Sequence, residues 1–235
     1  VGTMALIVIL SVMNGFQLTF INAILGYDSY HIRINRALDI KSEAIERISE
    51  IKAIFSFAEQ NTLLLLKNAP PVPVKIKYIS LLTAQQLGLF DSETDAASIG
   101  SDYSAILGSE LMRKANRSSS QQIQLLNFSL SEEEGFEPEV KSYNILSTFS
   151  SGHLDIDQSF VYIILTDEAL QERNNVQTGI ILKNKYDCDN VSRKIGMLLD
   201  DSHAISNWRE YNKSFFNALR LEKKMMILFV SIVYL

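Results

Sequence analysis

The feature that most constrains this chain is its opening stretch, residues 1–26, an apolar run with no charged side chain before Asp28. A bilayer crossing needs about 20 predominantly apolar residues. Residues 1–10 are apolar apart from Gly2 and Thr3, whereas Ser11, Asn14, Gln17, Thr19 and Asn22 make the second half wetter. The pattern predicts a helix whose first half is membrane-embedded and whose second half continues into water, with Gly26 as its stop. A cleaved signal peptide is the alternative, but it calls for a basic start and a small-residue cleavage site, and neither is present. A second apolar run begins at Met225 and continues to Leu235. The expectation is a large water-facing domain strung between two membrane anchors.

Composition narrows the classes. Against 27 Asp and Glu stand 22 Lys and Arg, so the chain carries a net charge of −5 and no basic footprint for nucleic acid. Cys188 is the single cysteine, so no internal disulfide can form, and cysteine usage says nothing about the compartment. The residues between the apolar ends suffice for one domain with a sizeable core or for two small ones.

In order, residues 30–35 alternate as a strand, and Asp39 can cap a helix that carries Ile40, Ala44, Ile48 and Ile51 at helical spacing. Residues 54–66 are β-like. Asn68-Ala69-Pro70-Pro71 reads as a turn, and Val74-Lys75-Ile76-Lys77-Tyr78 as a strand with one wet face. Residues 81–104 are weakly patterned and offer a subdomain boundary. Residues 105–112 read as a short strand entering a helix, with Ser109 and Glu110 at the helix start as ordinary caps. A strand at 123–128, a carboxylate-rich tip at 131–139 and a returning strand at 140–149 make a long hairpin, with Gly135 and Pro138 as turn residues. Strands follow at 159–165 and 179–183, with helices at 167–173 and 189–199. A closing helix over 206–224 sets Trp208, Tyr211, Phe215 and Leu219 on one face and runs unbroken into Met225. A helix continuous from domain to membrane is either a lever or a packed amphipathic stem.

Catalytic chemistry has little footing in the sequence. There is no glycine-rich phosphate loop followed by Lys-Ser or Lys-Thr, so the chain itself is not expected to bind ATP. His31, His153 and His203 are far apart, and no His-x-x-x-His or Cys-x-x-Cys spacing marks a metal site. No catalytic residue, metal or cofactor is expected. His153 near Asp155 and Asp157 is the nearest thing to a polar constellation, and an exposed turn explains it better than a ligand site, which needs three or more convergent donors.

The two ends carry a family resemblance. Met4-Ala5-Leu6-Ile7-Val8-Ile9-Leu10-Ser11-Val12-Met13-Asn14-Gly15-Phe16, followed by Ile24-Leu25-Gly26, resembles the first span of the LolC/LolE family, permease subunits of the lipoprotein-releasing ABC transporter. Trp208-Arg209-Glu210 and Phe215-Phe216-Asn217-Ala218-Leu219-Arg220-Leu221-Glu222-Lys223-Lys224-Met225-Met226 resemble that family's entry into its second span. Ile106-Leu107-Gly108-Ser109-Glu110-Leu111, and Ser151-Gly152 with Asp155, sit where the family has similar short motifs.

The resemblance implies an α+β, MacB-like, two-lobed periplasmic domain flanked by transmembrane helices, in a multi-pass protein of the bacterial inner membrane. On that basis residues 1–26 are the first transmembrane helix with its extension, and 27–80 the first part of the core lobe. Residues 81–128 are an inserted second lobe, 129–207 the hairpin and return to the core lobe, and 208–235 the stem helix and start of the second span. The implied partners are a separate LolD-like ATPase, a second LolC/LolE-type subunit or second copy, a LolA-like periplasmic carrier, lipoprotein substrates and membrane lipid. Met13, Asn14 and Phe16 become candidates for an acyl-chain wall, although small and polar residues such as Asn14 also serve helix contact. Leu130, Phe136 and Pro138 are the carrier-binding candidates on the hairpin, and Trp208, Phe215, Leu219 and Glu222 the coupling candidates on the stem. The rival expectations are a MacB- or FtsX-like permease with another substrate or a force-transmitting role, and the sensory domain of a two-span receptor.

Overall fold

The computed structural model describes residues 2–38, 43–66, 69–89, 104–116, 122–131, 135–199 and 204–233. Helix α1 spans Gly2–Ala23 and passes into a π-helical turn at Ile24–Asp28. Gly26 therefore does not stop the helix. It lies inside the widened turn, and its φ is not positive. Then come β1 (Ile32–Ile34), the short α2 (Glu43–Glu46), the long strands β2 (Ile51–Leu66) and β3 (Ala69–Ser80), and α3 (Leu81–Gln86). Of the helix expected after Asp39, the described residues show α2; residues 39–42 lie outside the described residues, and Ile51 already belongs to β2. Residues 104–116 form β4 (Ser104–Gly108) and α4 (Ser109–Asn116), and the hairpin consists of β5 (Gln122–Ser131) and β6 (Gly135–Phe149). The chain continues with α5 (Leu154–Asp157), β7 (Phe160–Leu165), α6 (Asp167–Gln171), β8 (Val176–Leu182), α7 (Cys188–Leu198), β9 (Ile205–Asn207), α8 (Trp208–Tyr211) and α9 (Lys213–Val233).

This is a mixed α+β architecture on one nine-stranded sheet, ordered β3-β7-β4-β6-β5-β2-β8-β1-β9, in which β2 also pairs back onto β3. Strand β2 makes the connection possible. One of its edges pairs with β8 over its first half and with β5 at Leu63, Leu64 and Leu65, while β3 holds the other edge from Phe57 onward. Within residues 81–128, the described strands β4 and β5 belong to the common sheet. Leu66 pairs with Ala69, so Pro70 and Pro71 lie in the strand β3. They fit there because β7 joins β3 only from Lys75 onward, so the preceding residues have β3's second edge open and a missing N–H costs little.

Alternation sorts the core. Val74, Ile76 and Tyr78 of β3 join Ala105, Leu107, Val161 and Ile163 beneath Leu111 of α4 and Leu170 of α6. On the other face Ile79, Ile106, Tyr162 and Ile164 pack with Phe55, Phe57 and Tyr30. A third cluster, with Ile32, Ile34, Ile180, Val191, Ile195 and Trp208, seats α7 and the root of the last helix.

The expectation of flanking transmembrane helices is not met by length and apolarity: among the described residues no helix is long and apolar enough to cross a membrane. The side chains at positions 2, 3, 5, 6, 9, 10 and 16 of α1 lie outside that set. The closing helix also differs from its expectation. Asn207 heads a capping box with Glu210, α8 lasts one turn, and the helix breaks at Asn212 (φ −101°, ψ 25°) before α9 begins. From Lys213 it then runs without interruption to Val233.

Candidate functional site at the junction of helices and domain

Both long helices reach the domain at one place. Phe20 of α1 lies against Phe215 of α9, with ring centroids 4.6 Å apart, and edge-on to His153 of the loop after β6 at 5.1 Å. About two turns further on, Tyr27 stacks on Phe149 at 4.9 Å, and its carbonyl accepts a hydrogen bond of 2.7 Å from the Tyr162 hydroxyl of β7. Trp208 is buried, donates its indole N–H to the Lys185 carbonyl at 3.0 Å and meets Phe216 edge-on. Asn212, at the helix break, donates to the Trp208 carbonyl and to the Ser29 hydroxyl, so the roots of α1 and α9 are bonded directly.

Under these roots lies a buried group of charges. The sequence pattern puts Lys75 and Lys77 on a wet face of β3, but the structure buries Lys77 completely. The covering comes from Asp28 at the end of the π turn, Arg33 on β1 and Glu59 on β2. Arg33 meets Glu59 at 2.7 Å, Lys77 meets Glu59 at 3.3 Å, and Lys75 meets Asp28 at 2.9 Å. Rings complete the enclosure: the Lys77 ammonium sits 4.3 Å from the centre of Tyr30 and 5.5 Å from that of Phe57, and Arg33 lies 4.2 Å over Tyr211 of α8. Arg33 and Lys77 both donate to the Asp28 carbonyl, and Arg33 also donates to the Ser29 carbonyl. Cations on terminal carbonyls are favourable for a helix, whose C-terminal end carries partial negative charge.

The charges are coupled. With every group ionised, three cations face two carboxylates, so one proton is in excess in a space poorly able to solvate it. Burial pushes the Lys77 ammonium down to about 7, aided by Arg33, and the attraction of Glu59 and Asp28 does not fully offset it. Burial also opposes ionisation of Asp28 and Glu59, but Lys77, Lys75 and Arg33 outweigh it and hold both carboxyls below their ordinary range. Nearby, burial and Lys185 lower His31 to about 4, and its Nδ1 accepts the Leu182 N–H at 2.8 Å.

Tyr30 closes the site from within. It is fully buried, and among the described residues it alone is a non-glycine with positive φ, at 54°. A tyrosine held in the left-handed region costs about 1–3 kcal/mol and persists only where its surroundings over-determine it. Among the described residues its hydroxyl has no hydrogen-bond partner.

A second constellation lies beside the first. The Asp157 carboxylate accepts from the Ser109 and Ser150 hydroxyls, at 3.1 and 3.2 Å, and from the Ser151 N–H and hydroxyl, each at 2.7 Å. Gly108 lies so close to the Asp157 backbone that a Cβ has no room. The two short motifs quoted from the sequence therefore meet in space, and the Ser109 hydroxyl donates into this knot. Of the three polar residues, His153 and Asp157 are buried and Asp155 is exposed, so they do not form the exposed turn expected of them. Among the described residues no group of His, Cys, Asp and Glu is arranged to hold a metal.

Of the coupling candidates, Trp208 and Phe215 reach the junction, while Leu219 is half-buried and Glu222 exposed further along α9. Met13 is buried and Asn14 exposed on α1; the Phe16 side chain lies outside the described residues. Leu130 and Phe136 face each other in register across the hairpin, Pro138 is exposed, and the side chains of Leu130 and Phe136 also lie outside the described residues. The charged group went unread in the sequence because alternation reports which face a residue takes, not what covers that face.

No family model matches the chain. Among curated proteins, it is 26% identical over its whole length to a lipoprotein-releasing system transmembrane protein LolC of Buchnera aphidicola subsp. Schizaphis graminum, of which it spans 60%. It is similar to LolC along its whole length. A LolC of Xylella fastidiosa strain 9a5c is 26% identical over 102 residues, 42% of this chain and 24% of that protein. Among solved structures, the chain is similar to the periplasmic region of MacB from Actinobacillus actinomycetemcomitans, with a TM-score of 0.45, 10% identity and coverage of 83% of this chain and 96% of that one. The extracellular domain of the noncanonic ABC-type transporter YknZ from Gram-positive bacteria gives a TM-score of 0.41 at 11% identity, covering 70% of this chain and 86% of that one.

Proposed function

We propose that the chain is the extracytoplasmic domain, with its two stem helices, of an ABC-transporter permease subunit that releases lipoproteins from the inner membrane. The observation that carries this reading is the similarity to LolC, which runs from the first helix to the last. The first half of α1 and the chain beyond Met225 lead toward the membrane, while Phe20 and Asn22 already lie against the domain. The subunit pairs with a second LolC/LolE-type subunit or a second copy, and a separate LolD-like ATPase hydrolyses ATP. No covalent chemistry falls to this polypeptide.

In this reading the domain converts helix motion into lipoprotein hand-over. Closure of the ATPase draws the helices together, α1 and α9 carry the motion outward through the Phe20–Phe215 contact, and acyl chains leave a wall that includes Met13, Asn14 and Phe16. The lipoprotein passes to a LolA-like carrier held by the hairpin at Leu130, Phe136 and Pro138. The hairpin suits this role because β5 pairs with β2 only at Gln124, Leu125 and Leu126, beyond which its two strands pair with each other.

Depletion of the full-length protein tests the reading. Mature lipoproteins should accumulate in the inner membrane, and their unchanged arrival at the outer membrane would overturn it. For the hairpin, a photo-cross-linker at position 136 in the intact membrane complex should give a carrier adduct. A lipoprotein adduct there would instead assign the subunit a substrate-facing, LolE-like role.

A further inference from the structure

Four features converge on residues 28–30. The helix widens to a π turn that ends at Asp28, and such turns cluster at functional sites. Tyr30 holds a left-handed backbone that tyrosine disfavours. Its hydroxyl is buried without a partner among the described residues, while its ring is pinned by Phe55, Phe57 and Lys77. The Asp28 carbonyl is gripped by two cations at once. Backbone strain kept in place by surrounding contacts clusters at active sites, ligand clamps and switch regions.

We propose that residues 28–30 are a hinge between α1 and the domain, and that the grip of Lys77 and Arg33 on the Asp28 carbonyl sets the direction in which α1 leaves the domain. In the released setting Tyr30 returns to negative φ, its hydroxyl reaches water, and Lys77 is hydrated. The charged and titratable groups facing Lys77 are Asp28 from the π turn, Tyr30 ahead of β1, Arg33 from β1, Glu59 from β2 and Lys75 from β3; Tyr211 of α8 reaches them through Arg33. Burial disfavours the Lys77 ammonium in the gripped setting, so the released setting binds the proton more tightly, and at high pH Lys77 keeps its hydrogen bond to the Asp28 carbonyl as a neutral amine donor. Rising pH therefore favours the gripped setting.

The hinge takes its purpose from the coupling reading, but its test needs no transported substrate, so either can fail without the other. The measurement is a spin-label distance between Val12→Cys on α1 and Met197→Cys on α7, both exposed, in the full-length protein in lipid nanodiscs; native Cys188 is buried. Raising the pH from about 6 to about 8.5 should enrich the distance of the present structure, changing the population ratio roughly thirtyfold. Lys77→Met, which leaves two cations facing two carboxylates, should abolish that pH response. Tyr30→Phe, which keeps the ring and removes the unpartnered hydroxyl, should enrich the same distance at either pH. One distance insensitive to pH and to Tyr30→Phe would overturn the proposal, and so would a pH response that survives Lys77→Met.

Discussion

At the scale of single residues, the junction depends on where Lys77 sits. Its amine is lowered from 10.5 in the unfolded chain to about 7 in the fold, so the native state binds fewer protons between these values. Stability should therefore rise with pH across that window, by up to about 1.4 kcal/mol per pH unit. Denaturant melts of the domain between about pH 7 and 9 should show this slope in the native sequence and not in Lys77→Met. Asp28 and Glu59 act at the other end of the scale. Their lowered carboxyls contribute stability that is present at neutral pH and lost as pH falls through their folded values. Asp28→Asn should flatten that acid limb while leaving Lys77 with one carboxylate fewer, so its amine should fall further. None of this was legible in the sequence. Lys75 and Lys77 alternate with Val74, Ile76 and Tyr78 as solvated lysines do, and Asp28 and Glu59 lie far from them along the chain. Local pattern cannot report a partner that arrives through tertiary contact.

Elements were more legible, because periodicity is a local property. The strand-to-helix step at residues 104–116 was read nearly at its bounds, but the hairpin strands run further than expected: Gly135 and Pro138 lie in β6, paired with Ser131 and Phe128, and not in a tip. The closing helix was read as continuous because it holds neither glycine nor proline. What breaks it is side-chain competition: Asn207 accepts from the Arg209 and Glu210 N–H groups, and Asn212 turns its amide to Trp208 and Ser29. Asn207→Ala should cost about 1 kcal/mol of stability, the usual worth of an N-cap. The element that tolerates least change is the turn from β4 into α4. A methyl at Gly108 must displace the Asp157 main chain, while the four hydrogen bonds from Ser109, Ser150 and Ser151 end on the Asp157 carboxylate. Gly108→Ala should cost about 1–3 kcal/mol by overpacking, read as a lowered melting midpoint, and Asp157→Ala should not rescue it because the clash is with main chain.

For the whole molecule, the question is whether α1 and α9 move as one body against the domain. Their packing at Phe20 and Phe215, the Asn212 bond to Ser29 and the shared third core cluster argue that near the domain they form a single stem. His153 edges onto Phe20 from a loop whose conformation the Asp157 knot fixes, so the stem bears on a rigid part of the sheet. A stem built this way can transmit rotation or displacement, but it transmits little if its two helices must part during each cycle. Cross-linking distinguishes the cases. In the full-length transporter, Phe20→Cys and Phe215→Cys joined by a short reducible cross-linker should leave ATP hydrolysis and lipoprotein release intact if the stem moves as a unit. If release instead stops on cross-linking and returns on reduction, the helices separate at this level, and the moving part of the cycle is the Phe20–Phe215 contact itself. The same pair placed between Phe20 and His153 probes the other boundary. A stem that swings about its root needs that contact to open, so this second cross-link should block release whichever way the first behaves.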